Sequence, residues 1–432
     1  MAANATTVNA VDAVTAAVRA AHAAAAEIAN APETAIDQAL RAMARRLTET
    51  TGEVLAANRV DQDAAVAAGM RGGLLDRLRL DPARLAAMAA QITALADVAA
   101  EPVRRRVRDL DDELVLEEWR RPVGVIGANF EARPNVAVDV ASQLIKSHNA
   151  GVLRTGSAAL ASAGALVDYV VAPALTEAGL AAEAIQLLRT PGHDSAEALV
   201  THPRMMPLVI LRGSGESTRS LAERAAAHGV RTLAHADGGA VIYVDVAADV
   251  GRARMLIGAS LDRLGVCNRL NLLLVHRDRY AELVPSIVEL LAAREPAIAV
   301  SLPPHPHPLG YEWALDPAAE ATVTIAQADG PGDAARIANE ETSGLAAAIV
   351  TEDADAARTF LTQYTGTGAF WNATTRLLDG FKLLAVPETG INIDRVPGPR
   401  GPVTYRDLSL RQYVVVPSAR AAQVRGGRHD RA

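Results

Sequence analysis

From residue 123 onward the chain keeps one rhythm: a short apolar run, a Gly- or Asn-bearing break, then a stretch of helix length. In the first half, residues 123–127, 150–154, 185–188, 207–211 and 231–233 read as strands. Helices at 136–147, 157–178, 196–201 and 217–228 separate them. The second half repeats the style. Strands are expected at 240–246, 270–275, 346–350, 369–372 and 412–417, and helices at 250–264, 280–294, 334–340 and 354–362. Apolar strands that alternate with helices predict parallel sheets covered on both faces. The fold class is therefore α/β, of the doubly wound, Rossmann-like kind.

Two segments break the rhythm. Residues 8–50 and 74–98 are Ala- and Leu-rich with helical spacing, and Asp81-Pro82 marks a helix start. Residues 104–119 alternate apolar and charged positions around Asp111-Asp112, which predicts a β-hairpin turning at the aspartates.

The chain has 432 residues, long enough for two or three domains at roughly 150 residues each. Aromatics make up only 3%, so its core must be aliphatic. The net charge of −7 argues against a nucleic-acid binder. The one strongly basic stretch, from Arg425 to Arg431, reads as a frayed tail. No apolar run suggests a membrane span and the N-terminus lacks a signal-peptide pattern, so a cytoplasmic protein is expected. No internal repeat and no long linker is visible.

A single cysteine, Cys267, excludes internal disulfides and Cys-rich zinc sites. It sits between an expected helix and an expected strand, where a side chain can face a cleft. The residues alone leave it open as a buried hydrophobe or a nucleophile. Arg212, Gly213, Ser214 and Gly215 join a strand to a helix, where backbone amides can approach a phosphate. Arg154 and Ser157 stand at a second such junction. Glu131, Arg133 and Asn135 follow the 123–127 strand, and Asn372 and Arg376 follow the 369–372 strand. The two arginines are candidate clamps for phosphate or carboxylate. His305-Pro-His307-Pro matches no common zinc spacing, and no metal is expected.

These motifs resemble the γ-glutamyl phosphate reductases of the aldehyde dehydrogenase superfamily. The resemblance rests on Arg121-Pro-Val-Gly-Val-Ile-Gly127, Glu131-Ala-Arg-Pro-Asn-Val136, Leu144-Ile-Lys-Ser-His-Asn149, Leu153-Arg-Thr-Gly-Ser157 and Val266-Cys-Asn268. Leu74-Leu-Asp-Arg-Leu78, Ala348-Ile-Val-Thr-Glu-Asp353, Asn372-Ala-Thr-Thr-Arg376, Asp379-Gly380 and Arg400-Gly-Pro402 extend it along the chain in order. It implies a cofactor-binding domain from 1–103 and 122–238 and a catalytic domain at 239–386. It also implies an oligomerisation hairpin and C-terminal strand at 104–121 and 387–418, with a flexible tail at 419–432.

The implied reaction is NADPH-dependent reduction of an acyl phosphate to an aldehyde through a thioester, in proline biosynthesis. Cys267 is then the nucleophile, with Asn135 and Asn268 as catalytic neighbours. Lys146, Arg154, Ser157 and the 212–215 turn would meet the NADPH or NADP. Glu131, Arg133, Asn372 and Arg376 would meet the substrate. A homo-oligomer and an upstream glutamate kinase are the implied partners.

The chain departs from the family pattern in four places. They are Leu211-Arg-Gly-Ser-Gly215, Val241 at a usual His position, Arg269-Leu270-Asn271 after the Cys-Asn pair, and Pro397-Gly-Pro-Arg-Gly-Pro402. Two other readings stay open: a paralogue acting on a different acyl phosphate or aldehyde, and a non-catalytic nucleotide-binding relative.

Overall fold

In a computed structural model the described residues form two parallel sheets and two smaller antiparallel ones, wrapped by helices. The structure describes residues 2–110, 113–213, 215–235, 238–316, 318–394 and 398–420.

Five helices open the chain: Ala2–Ala29, Glu33–Glu49, Thr51–Ala67, Gly72–Leu78 and Pro82–Asp97. Asp81 caps the last as expected, accepting the Arg84 N–H at 2.8 Å. The sequence pattern misses Thr51–Ala67, because buried polar groups rather than an apolar stripe hold it. Asn58 donates to the Leu78 carbonyl at 2.9 Å, and Asp61 accepts the Ser162 N–H at 2.7 Å.

Strands β1 (Arg104–Asp109) and β2 (Leu114–Pro122) form the expected hairpin. Its turn at Asp111-Asp112 lies outside the described residues. Strands β3 (Val125–Phe130), β4 (Ala150–Thr155), β5 (Ile185–Leu187), β6 (Leu208–Arg212) and β7 (Arg231–His235) make a parallel sheet in the order β5-β4-β3-β6-β7. Strands β8 (Ala240–Val244), β9 (Leu270–His276), β10 (Ala299–Ser301), β11 (Thr322–Ala328), β12 (Ala346–Val350) and β13 (Gly368–Trp371) make a second parallel sheet, in the order β10-β11-β9-β8-β12-β13. Strands β14 (Gly390–Asn392) and β15 (Gly401–Val403) form a small ribbon. Strand β16 (Ser409–Pro417) pairs with β2 along its whole length.

The strands β3, β4, β8 and β12 are buried end to end, which explains their unbroken apolar runs. Strand β3 starts two residues later than expected, because Gly124 turns the chain with φ +112. Strand β11 was not expected at all. Buried Thr322 and Thr324 interrupt its apolar run and hide it.

Residues Ser157–Glu177 form one long helix with a π-helical turn at Leu166–Val171, just ahead of Pro173. A π turn accommodates the missing proline N–H. This helix is long and apolar enough to cross a membrane, a feature the sequence reading overlooked. Here Leu166, Val170, Val171 and Leu175 bury that apolar surface in the core of the first sheet.

The strand order positions the site. The chain adds β4 and β5 on one side of β3, then returns to add β6 and β7 on the other. Order reverses at β3/β6, and a parallel sheet opens its ligand crevice outside the carboxyl ends of the strands at such a point.

Candidate active site

At that crevice Phe130, the last residue of β3, pairs with Arg212, the last of β6. The chain then turns through Glu131-Ala132-Arg133 and enters the helix Val136–Lys146 after Asn135. Ala132 takes the left-handed φ of +46 to make the turn. Glu131 accepts the Ser217 hydroxyl at 3.2 Å and lies against Gly213, where an added Cβ would stand 3.0 Å from its carboxyl carbon. Any larger residue at Gly213 would push Glu131 away.

The second sheet presents its amino ends to the same space. Gly238-Gly239 leads into β8, and Cys267-Asn268 leads into β9. The Gly239 N–H donates to the Cys267 carbonyl at 2.8 Å. A Cβ at Gly238 would stand 2.7 Å from that of Cys267, so only glycine lets the two segments touch. The expected helix 250–264 stops at Ala259, and the Leu270 N–H closes a loop onto the Ser260 carbonyl at 2.8 Å. This loop carries the cysteine. It also packs on the helix Gly72–Leu78: Gly73 and Gly265 touch backbone to backbone, and Arg77 donates to the Gly265 carbonyl at 2.5 Å.

The result is a cleft of about 610 Å³ with half-buried Cys267 in its wall and Arg133, Arg212 and Arg376 around it. Burial pushes the Cys267 thiol up, while Arg133, Arg212 and Arg77 pull it down and Glu312 opposes them. Burial and repulsion from Arg77 and Arg212 bring Arg133 down to about 9. Among the described residues, the guanidinium groups of Arg133 and Arg212 have no hydrogen-bond acceptor. A half-desolvated cation without a partner is costly, and an anionic ligand relieves that cost. Burial raises Asp139, which accepts the Asn135 amide at 2.8 Å, to about 6. Glu388 accepts the Gly380 N–H at 2.8 Å. Burial brings it to about 7, with Arg212 opposing and Asp379 and Cys267 adding to the rise.

The structure gathers Glu131, Arg133, Asn135, Arg212, Gly213, Cys267, Asn268 and Arg376 at the cleft. Asn268 is fastened as it lines it. Its amide donates to the Leu378 carbonyl at 2.8 Å, and its oxygen accepts from Arg376. Gly215 is buried at the start of the helix Gly215–Ala227, and Ser157 is exposed at the carboxyl end of β4. Ser214 lies outside the described residues.

Three residues expected at the site make their contacts elsewhere in the structure. Lys146 ends the helix Val136–Lys146, which runs antiparallel to the strands and returns to the opposite edge of the sheet. There Lys146 pairs with Asp37 at 2.9 Å. Arg154 turns back into the protein, donating to Asn129 at 3.1 Å, Ser195 at 3.2 Å and the Gly192 carbonyl at 2.9 Å. Asn372, with φ +49, spends both ends of its amide on the Thr351 backbone and does not line the cleft.

The sequence reading did not single out Arg77, Arg263, Asp139, Glu388 or Glu312. Arg77 stood inside the Leu74–Leu78 motif, and Glu388 inside a Gly- and Pro-dense stretch. Nothing in the sequence marks Glu312.

Known proteins resemble this chain in sequence and fold. A model of the aldehyde dehydrogenase family matches residues 3–296. A γ-glutamyl phosphate reductase of Cyanothece sp. is 33% identical over 401 residues, covering 91% of this chain and 90% of the relative. The one from Clavibacter michiganensis is 34% identical over 403 residues, covering 90% of each. The chain belongs to the γ-glutamyl phosphate reductases of the aldehyde dehydrogenase family.

The solved γ-glutamyl phosphate reductase of Thermotoga maritima superposes with a TM-score of 0.82 at 27% identity, over 93% of this chain and 98% of that one. An acetylating aldehyde dehydrogenase from Geobacillus thermoglucosidasius shares the fold, with a TM-score of 0.73 at 15% identity over 95% and 97% of the two chains. Aldehyde dehydrogenases use a nicotinamide cofactor, NAD or NADP.

Two departures from the γ-glutamyl phosphate reductase pattern have structural explanations. Arg269 is fully buried and donates to the carbonyls of Leu270 (2.9 Å), Glu320 and Thr322, which clamps β9 to the entry of β11. Burial brings it down to about 10. Asn271 donates to the Tyr311 carbonyl at 2.7 Å and accepts the Trp313 N–H at 3.0 Å.

Proposed function

We propose that this protein reduces γ-glutamyl phosphate to glutamate 5-semialdehyde and phosphate, with NADPH as reductant and a Cys267 thioester as intermediate. The supporting observation is a half-buried thiol beside two arginines, Arg133 and Arg212, that have no acceptor among the described residues. An acyl phosphate brings an electrophilic carbon and a doubly charged leaving group. Cys267 attacks that carbon, sulfur bonds to it, and the carbon–oxygen bond to phosphate breaks. Arg133, Arg212 and Arg376 hold the phosphate and stabilise its charge as it leaves. Asn135, whose amide has a second hydrogen besides the one given to Asp139, faces the acyl oxygen with Asn268 behind the nucleophile.

NADPH, when bound, supplies the hydride that reduces the thioester. The carboxyl ends of β4 and β6 fit it. Gly213 lines the cleft just after β6, and exposed Ser157, just after β4, offers a hydroxyl, not a carboxylate, to a 2′-phosphate. Glu131 orders the loop between phosphate and cofactor.

The substrate must be made by phosphoryl transfer to a carboxylate, which makes a glutamate kinase the upstream partner in proline biosynthesis. Exposed Leu410, Tyr413 and Val415 on β16 support a homo-oligomer built through the antiparallel sheet. The cytoplasm is the compartment such a pathway implies.

The test is phosphate-dependent NADP⁺ reduction with glutamate 5-semialdehyde. Wild type should turn over. Cys267→Ala should fall by at least about 10³-fold, the scale expected for losing a covalent nucleophile. A folded, NADPH-binding wild type that is silent with this aldehyde but active with others would reassign the substrate.

A further inference from the structure

Glu312 stands across Gly238 from Cys267, although it comes from a distant part of the chain. It lies in the loop 302–316, between β10 and β11, and that loop is built to hold it. Asn271 grips the backbone on both sides, at Tyr311 and Trp313. The Trp313 indole N–H donates to Thr324 at 2.9 Å. His307, Tyr311 and Trp313 pack ring against ring, with centroids 4.7–5.5 Å apart, and Ser301 hydrogen-bonds His307 at 2.7 Å.

So anchored, the Glu312 carboxylate accepts the Gly238 N–H at 2.7 Å. Gly238 is also where the chain presses on Cys267: a Cβ there would run into both the Glu312 carboxylate and the Cys267 Cβ. The carboxylate and the thiol-bearing carbon thus flank one glycine. The charged groups that act on the thiol are Arg77 from the helix Gly72–Leu78, Arg133 from the β3 turn, Arg212 from β6, Glu388 ahead of β14, and Glu312.

We infer that Glu312 is the proton acceptor for the Cys267 thiol when it attacks the acyl phosphate. This role rests on the acyl-phosphate reading of the same site. As the sulfur–carbon bond forms, the S–H bond breaks and its proton passes to the Glu312 carboxylate. The carbon–oxygen bond to phosphate breaks, and the proton moves on to the departing phosphate, which leaves as hydrogen phosphate. Glu312 is again a carboxylate, and no other reagent is consumed. The assignment gives Asn271 a purpose as well: it is a positioning residue for Glu312.

The test compares wild type with Glu312→Gln, whose amide oxygen can still accept the Gly238 N–H and hold the loop. Two measurements are made. The first is the rate of Cys267 alkylation by iodoacetamide against pH, which needs no substrate. Removing a negative charge beside the thiol should move its midpoint down, so the variant alkylates faster at pH 7. The second is kcat for phosphate-dependent oxidation of glutamate 5-semialdehyde, which runs the same proton step in reverse. It should fall by about 10²-fold, the scale of general acid–base catalysis, and Glu312→Asp should recover part of it. A more reactive thiol in a less active enzyme is the expected pairing. An unchanged alkylation profile, or a kcat retained within about threefold, overturns the assignment. If wild type itself is silent with the semialdehyde, the substrate reading fails, and the alkylation arm still decides whether Glu312 acts on Cys267.

Discussion

Arg154, near the end of β4, and Arg133, just after β3, both stand within a few residues of the carboxyl edge of the first sheet, yet they do opposite work. Arg154 is buried and satisfied, its guanidinium spent on Asn129, Ser195 and the 191–192 carbonyls. Arg269 repeats that pattern in the second sheet. Arg133 is half-buried, crowded by Arg77 and Arg212, and without a protein acceptor among the described residues. A buried charge with acceptors is framework, and one without them waits for a ligand. Residue type does not separate the two cases, whereas the inventory of acceptors does.

Substitutions test this contrast directly. Arg133→Met should lower kcat/KM by about 10²-fold, the upper range for one hydrogen bond to a charged group. Its thermal stability should hold or rise, because an unpaired cation has been removed. A stability loss with unchanged kcat/KM would place Arg133 in the framework and break the comparison.

Arg154→Met should do the reverse. Leaving several buried acceptors unmatched costs about 2–3 kcal/mol of stability, readable by urea denaturation, with KM for phosphate barely moved. A large KM change from a stable variant would return Arg154 to the ligand side.

Ser157→Glu sharpens the cofactor end. It should weaken NADPH about tenfold by repelling the 2′-phosphate, and NADH much less, as measured by fluorescence titration. Equal losses would show that Ser157 does not face that phosphate.

The smallest effect concerns Glu388. Its folded value, about 7, lies above its unfolded one, so the fold favours the protonated form. That stabilisation is complete below the unfolded value near 4.5 and is lost as pH climbs towards 7. Wild type should therefore lose more thermal stability between pH 5 and pH 8 than Glu388→Gln, by about one or two degrees in Tm. Parallel profiles would mean that Glu388 is solvated in solution.

Much of this was legible in advance. The alternation of apolar runs and helices carries the two parallel sheets, and the residues after β3 and β6 carry the crevice, because strand-end position is a local property. Cys267 stood out by being alone and by its neighbours Val266 and Asn268. The threonines of β11 hid a central strand, since a buried hydroxyl looks like a loop residue until its neighbours are known. Lys146 pairs with Asp37 away from the cleft for a similar reason: the direction of its helix, not its motif, sets the edge on which it emerges.

The amino-acid sequence by itself determined the fold class, the hairpin and the family, and it marked Cys267 as the candidate nucleophile; all of these follow from patterns within short windows. Tertiary structure alone decided which arginines are framework and which face the cleft. It alone also set Glu312 beside a cysteine 45 residues earlier in the chain. Charge pairing and burial depend on what the fold brings together, and no local pattern encodes that.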